Sequence, residues 1–331
     1  MEDLTIIIPT KERHHFLSRT LEYLEEKNCP YKIIIADNVE SGFEYQPNWK
    51  LDIDYKSFGN DVGFANKIIA ALEAAQSEYV LPLGDDDYVN LELLPELISY
   101  LNDNKECVAI DGTEIRVKVG PDNAVTNIFH SQPSINGGSP LARIGAHCRS
   151  YWPTFYALHR REVVLNSFKF TTDVAELGYL FQEIGGSILT IAQGKYVNVD
   201  DLYMVRQNFH NQSTQTVWWT EVVAQSDFEK VNDFFVLKML ERLAELSIEV
   251  DESGLRAALD EFYKPFIFQN RTSKVAPIVK KMLPNSLLNP VRRLFNVAPV
   301  KPVEDKKMVL LNSAFYKGVN ASISVSPFGK K

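Results

Sequence analysis

Three consecutive carboxylates, Asp85, Asp86 and Asp87, follow the apolar run 79–83, with Gly84 between run and acids. The run reads as a buried strand, and Gly84 lets the chain turn as it leaves the sheet. In an open α/β sheet the carboxyl ends of the strands face the ligand crevice, so the acids are delivered to a ligand edge. Adjacent carboxylates repel one another and concentrate negative charge. A hard divalent cation, Mg2+ or Mn2+, suits such a site and would hold phosphate oxygens on its far side. The competing reading is an acidic turn that caps the next helix, because aspartate is common in turns.

The preceding elements end in polar residues as well. Residues 4–8 form a β-branched run closed by Pro9-Thr10, the first buried strand. Thr10 is placed to cap the next helix, which carries Phe16, Leu17, Leu21 and Leu24 near one face. Lys11, Glu12, Arg13, His14 and His15 crowd its first turn, where free backbone N–H groups can meet a phosphate or a sugar. The two histidines read as solvated, since no carboxylate sits beside them at metal-ligand spacing. A second strand, 31–36, ends in Asp37, which can accept from a base edge or a ribose, or equally begin a turn. After a loop over 39–50 and a short strand at 53–55, the turn 59–63 opens a helix to about Ala75. Small Gly63 there lets a backbone approach a diphosphate, with Lys67 one turn in as a point charge. The spacing is neither a P-loop nor a dinucleotide fingerprint. Asn90 is placed to cap a leucine-rich helix over 91–101. This alternation predicts an α/β fold with a parallel, doubly wound sheet.

The strand 5–10 with Arg13, the strand ending in Ala36-Asp37 and the strand ending in three aspartates resemble the nucleotide-sugar half of family 2 glycosyltransferases of the GT-A fold. The likeness is nearest to a bacterial subgroup with an Asp-Asp-Asp metal motif; it is dense over residues 4–101 and thinner to about 208. It implies a Rossmann-like, mostly parallel central sheet flanked by helices, with a C-terminal helical appendage. Pro9, Thr10, Arg13 and Asp37 would line the nucleoside pocket, and Gly63 and Lys67 would lie near the diphosphate. Asp85 and Asp86 would reach the donor, and Asp85, Asp86 and Asp87 would supply the Asp-x-Asp motif for Mn2+ or Mg2+. Relatives often carry an aspartate where this chain has Gly84, which leaves open which two acids touch the metal. The implied activity moves a sugar from a nucleotide-sugar donor, a UDP-sugar foremost, to a glycan or lipid-linked acceptor in surface-polysaccharide assembly. It would be inverting and metal-dependent. A nucleotidyltransferase is the alternative, but it would favour a glycine-rich basic loop where this chain has Pro9-Thr10-Lys11-Glu12-Arg13. A non-catalytic nucleotide-sugar-binding module is the third reading.

Residues 108–119 read as a long strand broken at Gly112, and the Gly/Pro/Asn/Ser-rich stretch 120–140 as a loop able to serve as a substrate lid. Arg143 is placed either near a substrate or in a surface ion pair. Residues 152–159 read as a strand whose aromatics pack in the core or stack on sugars. Residues 171–176 are expected to open a helix, with Thr172 as its cap and Gly194 as its stop, so that Asp173 and Glu176 share a face. An inverting transferase needs a carboxylate to take the acceptor's proton, although acids favour a helix's first turn in any case. The resemblance points to an acid in this helix: Glu176 first, Asp173 second. Residues 202–210 close the sheet with a Tyr…Arg-Gln ending again similar to the subgroup. Arg206 would steady the diphosphate, and His210 is either a late metal ligand or polar surface.

The chain has 331 residues, enough for a catalytic domain and an appendage. The sequence suggests a transferase domain over 1–223, divided into a nucleotide-sugar half (1–105) and an acceptor half (106–223). A helical appendage over 224–270 would cap it or support a homo-oligomer, and a basic segment and tail fill 271–331. The formal charge of −8 argues against a nucleic-acid partner. Residues 271–307 hold nine Lys/Arg against two acids, as a solvated linker or as a peripheral membrane contact would. The absence of a long apolar run or a secretory signal suggests the cytoplasm, at most peripheral at the inner face of the plasma membrane. Cys29, Cys107 and Cys148 read as reduced thiols.

Overall fold

The computed structural model describes residues 3–39, 49–119, 125–208, 218–282 and 309–324. Its sheet has nine strands. Four parallel ones come first: β1 (Leu4–Thr10), β2 (Lys32–Asn38), β3 (Ile53–Phe58) and β4 (Tyr79–Pro82). They are followed by β5 (Tyr88–Val89), β6 (Cys107–Val119), β7 (Val125–His130), β8 (Leu158–Arg160) and β9 (Lys195–Asn208). The order is β3-β2-β1-β4-β8-β6-β9-β5, with β7 paired to β6. Strand β8 is antiparallel to both of its neighbours, while β9 returns parallel to β6. The polar ends of β1, β2, β4 and β9 therefore meet on one edge.

The sheet is covered on both faces because the strands alternate apolar side chains at a period of two. Ile6, Ile8, Ile33 and Ile35 face α1 (His14–Glu26) and α3 (Leu94–Asp103). Ile7, Ile34 and Val80 face α2 (Phe64–Ala74) and α5 (Arg161–Asp173). The tail also contributes: α10 (Ala314–Ser324) brings Phe315, Tyr316 and Val319 into the α1 side of this core, against Tyr23. A second apolar core joins α4 (Pro140–Arg149), α5, α6 (Tyr179–Gln193), α7 (Trp219–Val222), α8 (Phe228–Glu245) and the first turns of α9 (Glu252–Met282). Of the basic stretch 271–307, residues 283–307 lie outside the described residues, and the backbone before them continues α9. No described helix is long and apolar enough to cross a membrane.

Several local expectations need correction. Pro9 lies within β1, opposite Ala36; pairing with β4 stops at Ile7, so the missing N–H leaves no ladder bond unmade on that side. Gly112 does not break β6. It marks a register shift against β9, where a Cβ would stand 2.6 Å from the Asp201 carbonyl oxygen. The stretch 120–140 contains β7, hydrogen-bonded to β6, and Ser139 caps α4 through the Ala142 N–H at 3.3 Å. Of the expected strand 152–159 only the last two residues lie in the sheet, in β8. Asn90 bridges to β9 through the Leu202 carbonyl, and α3 begins only at Leu94. The Arg143 guanidinium donates to the Gly138, Ile191 and Ala192 carbonyls, closing the end of α6.

The helix expected at 171–176 is displaced. Asp173 is the last residue of α5, Ala175–Leu177 is a single 3₁₀ turn, and Gly178, at φ 88°, starts α6. The left-handed φ that breaks the helix falls on a glycine, so the break has no steric cost there. Asp173 and Glu176 thus share no helix face. Within α6 the paired glycines make opposite demands. A Cβ at Gly185 would stand 2.3 Å from the Phe170 ring, whereas one at Gly186 meets nothing closer than 3.4 Å. Gly185→Ala is expected to destabilise by roughly 1–3 kcal/mol through overpacking. Gly186→Ala should stabilise by up to about 1 kcal/mol through helix propensity. Urea unfolding followed by tryptophan fluorescence reads both signs.

Candidate active site

The acid triplet is buried: Asp85, Asp86 and Asp87 are 4%, 9% and 2% exposed. Burying carboxylates without counter-charge is prohibitive, and two arginines supply it from opposite ends of the chain. Arg13 precedes α1, where Glu12 takes a left-handed φ of 56° and turns the chain inward. Its guanidinium reaches Asp85 Oδ1 at 3.2 Å and is hydrogen-bonded to Asp86 Oδ2. Arg206, near the end of β9, lies 3.4 Å from Asp87 and 3.6 Å from Glu114, with its guanidinium 3.5 Å above the Tyr156 ring. Thr10 donates to Asp85 Oδ2 at 2.7 Å, so it serves the triplet and does not cap α1. Gln207 donates to the Asp86 carbonyl at 2.7 Å and Thr20 to that of Asp85 at 2.8 Å.

Three carboxylates thus face two guanidiniums, one of them shared with Glu114. Burial and the neighbouring Asp86 push Asp85 up to about 6, against the pull of Arg13. Burial likewise raises Asp87 against the pull of Arg206. Burial opposes the charge on Arg206 too, but Tyr156, Asp87 and Glu114 more than offset it. The site is short of positive charge, and its donors are hard oxygens, as Mg2+ or Mn2+ requires. Among the described residues no three His, Cys, Asp or Glu side chains stand at metal-ligand spacing. These ions usually take one or two protein carboxylates and complete their shell with phosphate and water, so the triplet fits on those terms. A Cβ at Gly84 would stand 2.5 Å from Asp87 Oδ2 and 3.2 Å from Asp86 Oδ1. An aspartate at that position would therefore displace both acids, and all three carboxylates must follow the turn.

At the ends of β1 and β2 the second cluster forms around Asp37, which is fully buried. Its Oδ2 accepts from the Tyr55 hydroxyl at 2.8 Å and pairs with His14 Nε2 at 2.6 Å, while Oδ1 has no partner. An orphaned buried acceptor is costly and marks a place for an incoming donor. Lys67, 3% exposed, donates to the Thr10 carbonyl at 2.6 Å, and burial lowers it to about 8. Gly63 precedes α2 in extended conformation, with nothing nearer than 3.8 Å to a Cβ placed there.

Pro9, Thr10, Asp37, Gly63, Lys67, Asp85, Asp86, Asp87 and Arg206 therefore gather on one sheet edge. Arg13 joins them, turned to the triplet, while its neighbour His14 takes Asp37. His14, read from sequence as solvated, was signalled only by its position beside Arg13. Tyr55, Glu114 and Tyr156 carried no signal, because strand pairing and loop packing bring them in. Asp173 is engaged elsewhere, in a 2.7 Å ion pair with Arg242 of α8. Glu176 is exposed on the 3₁₀ turn before α6, and His210 lies outside the described residues.

Arg206→Met should cost about 3–5 kcal/mol, because Asp87 and Glu114 lose their buried counter-charge. Asp87 already sits above its ordinary value of 3.8 and rises further without the guanidinium. A raised carboxyl leaves stability intact at low pH and loses it as pH rises, so the penalty should be smallest near pH 4 and grow toward pH 8. Denaturant unfolding of both proteins across that range measures it; a penalty independent of pH would contradict the electrostatic account.

Residues 5–163 match the model of Glycosyl transferase family 2. No curated protein matches the sequence. The crystal structure of S. aureus TarS 1-349 aligns with a TM-score of 0.50 at 16% identity, over 82% of this chain and 74% of that one. The same fragment in complex with UDP-GlcNAc gives 0.52 at 15%, with the same coverage. Against the longer TarS chain the TM-score is 0.50, and the match spans 44% of that protein. At such identity the likeness establishes the GT-A fold and no more. The family match runs from β1 through β8 and takes in the acid triplet, so residues 5–163, just under half of the chain, are similar to a family 2 glycosyltransferase domain.

Proposed function

We propose that this glycosyltransferase moves a sugar from a UDP-sugar to a hydroxyl of a glycan or lipid-linked acceptor, with inversion and with Mn2+ or Mg2+. The observation that carries the reading is the pairing of two unmet demands on one edge. Asp37 Oδ1 is a buried acceptor without a donor, and the triplet is a carboxylate cluster short of positive charge. They stand on β2 and β4 with β1 between, about 10 Å apart at the usual strand spacing, which suits a nucleobase and ribose at one end and a diphosphate at the other. UDP-GlcNAc, recorded in the TarS complex, is the first donor to try.

On this reading Asp37 accepts from the base or ribose, Gly63 lets the backbone approach the phosphates, and Lys67 adds a point charge beside them. Two of Asp85, Asp86 and Asp87 would hold the ion, with His210 as a further candidate ligand. When bound, the ion supplies positive charge to the departing diphosphate. Arg206 keeps Asp87 and Glu114 in place and adds its charge to the same region. The acceptor oxygen bonds to the anomeric carbon as the bond to the diphosphate oxygen breaks. The bonding pair leaves with the diphosphate, and Glu176 takes the acceptor's proton. Asp173, held by Arg242, is the weaker candidate for that role. Surface-polysaccharide assembly in the cytoplasm, with peripheral membrane contact through 271–307, belongs to the same proposal.

Turnover of UDP-GlcNAc or another UDP-sugar should release UDP and not pyrophosphate, and both EDTA and Asp87→Ala should abolish it. Pyrophosphate release would make the chain a nucleotidyltransferase, and full activity in EDTA would remove the metal from the mechanism. Glu176→Gln should keep donor affinity and lower kcat by roughly 10²–10⁴-fold, the usual worth of a general base. Asp173→Asn should leave kcat near normal and cost at most about 1 kcal/mol of stability, since its ion pair is partly exposed. The reverse ranking of the two variants would move the role to Asp173.

A further inference from the structure

Beside the charged cluster lies an aromatic surface, of which Phe64 and Phe155 belong to no apolar core. Phe64 opens α2 and is 45% exposed. Its ring centroid lies 6.0 Å from that of Phe155 and 6.2 Å from that of Phe168; Phe155 and Phe168 are 6.0 Å apart. Phe168 packs on the core between α2 and α5, but Phe64 does not belong to it. Phe155 meets the Tyr156 ring edge-on at 4.9 Å, and Tyr156 in turn carries the Arg206 guanidinium that holds Asp87. On the other side, Lys67 Nζ lies 5.9 Å from the Phe64 centroid. Because β8 is antiparallel to β4, with Tyr79 opposite Arg160, the segment leading into β8 runs beside the end of β4, at the acid turn.

We propose that Phe64 and Phe155 form a stacking subsite for a pyranose ring of a glycan acceptor, a reading that rests on the glycosyltransferase function proposed above. Its place in the strand order favours the acceptor over the donor's nucleoside end. Asp37 is on β2 and the triplet follows β4, so the segment entering β8 is the next position along the edge, beyond the diphosphate. The surroundings favour a sugar over an acyl chain. The shelf is only a few rings wide and is flanked by Lys67 and by Arg206 with its acids. A pyranose lays one apolar C–H face on the rings and keeps its hydroxyls in water around the rim, whereas a shelf this narrow leaves most of a long acyl chain uncovered.

The test uses the full chain with Mn2+ and UDP, and methyl glycosides of glucose, galactose and N-acetylglucosamine as probes in saturation-transfer NMR. At least one glycoside should receive saturation at its ring C–H protons. Phe64→Leu, which keeps apolar bulk without a ring, should weaken its Kd by about three- to tenfold, the worth of an aromatic contact beyond its area, and Phe64→Tyr should restore it. Donor affinity, read as the thermal shift given by UDP-GlcNAc, should be the same in all three proteins. The proposal is overturned if no glycoside binds the wild type, if Phe64→Leu binds as well as the wild type, or if donor affinity falls in step. It is also overturned if geranyl phosphate takes the saturation in place of the sugars. Glycoside binding that depends on Phe64, in a protein that binds neither UDP nor UDP-GlcNAc, would support the shelf while removing the functional reading.

Discussion

The desolvation of three adjacent carboxylates is the constraint on which the rest of the site depends. Such a cluster stays buried only if cations and donors are brought to it, and here they come from distant parts of the chain. Arg13 and Thr10 arrive from the first strand and helix, and Arg206 and Gln207 from the last strand. The acid turn therefore ties the first strand and helix to the last strand of the sheet. Arg206 takes part in two ways, as the counter-ion of Asp87 and Glu114 and as a plate against Tyr156, which a lysine could not reproduce.

The sheet makes this convergence possible. Strands β1, β2 and β4 are parallel and discharge their polar ends on one edge. The reversed β8 has a separate effect: its entering segment, and not its exit, lies on that edge, which brings Phe155 and Tyr156 beside the triplet without another crossover. Parallel β9 then returns Arg206 to the same side. The helices outside the sheet fix these ends. Residues 224–270 share one apolar core with α4, α5 and α6, and Arg242 of α8 holds Asp173 at the end of α5. The 3₁₀ turn that carries Glu176 is thereby suspended between two anchored helices, with Gly178 as its joint.

The alternation of strand and helix, the polar strand ends and the helical C-terminal region were legible because each rests on a local pattern: a run of β-branched residues, a spacing of leucines, a glycine at a turn. Asp37 and the triplet were legible because they follow apolar runs, and Lys67 because it sits one turn into a helix opened by a glycine-bearing turn. Pairings across the sequence were not. Nothing local distinguishes the Thr10 that donates to Asp85 from one that caps a helix, since both follow a strand. The break at 174–178 was hidden because Thr172 and Asp173 have the composition of a helix start, while packing of Val174 and the left-handed Gly178 decide that the earlier helix ends there. Glu114 and Tyr156 have no marker at all until β6 pairs with β9 and the chain enters β8.

Many of the proposed ligand-binding groups already have partners within the protein. Asp37 is held by His14 and Tyr55 through one oxygen, Lys67 by a carbonyl, Arg13 by two aspartates. A buried group left without a partner bears the full cost of an unmade bond, about twice the net worth of a made one. Donor binding on the proposed reading is then an exchange of partners rather than a simple gain. Asp37 Oδ1 is the exception, available with no bond to surrender, and Lys67 must give up the Thr10 carbonyl or share it with phosphate. Thr10 connects the two ends, with its carbonyl on Lys67 and its hydroxyl on Asp85, so charge arriving at one cluster is felt by the other through a single residue. That linkage couples Lys67 to the acid triplet, the two groups that the proposed reading sets against the diphosphate.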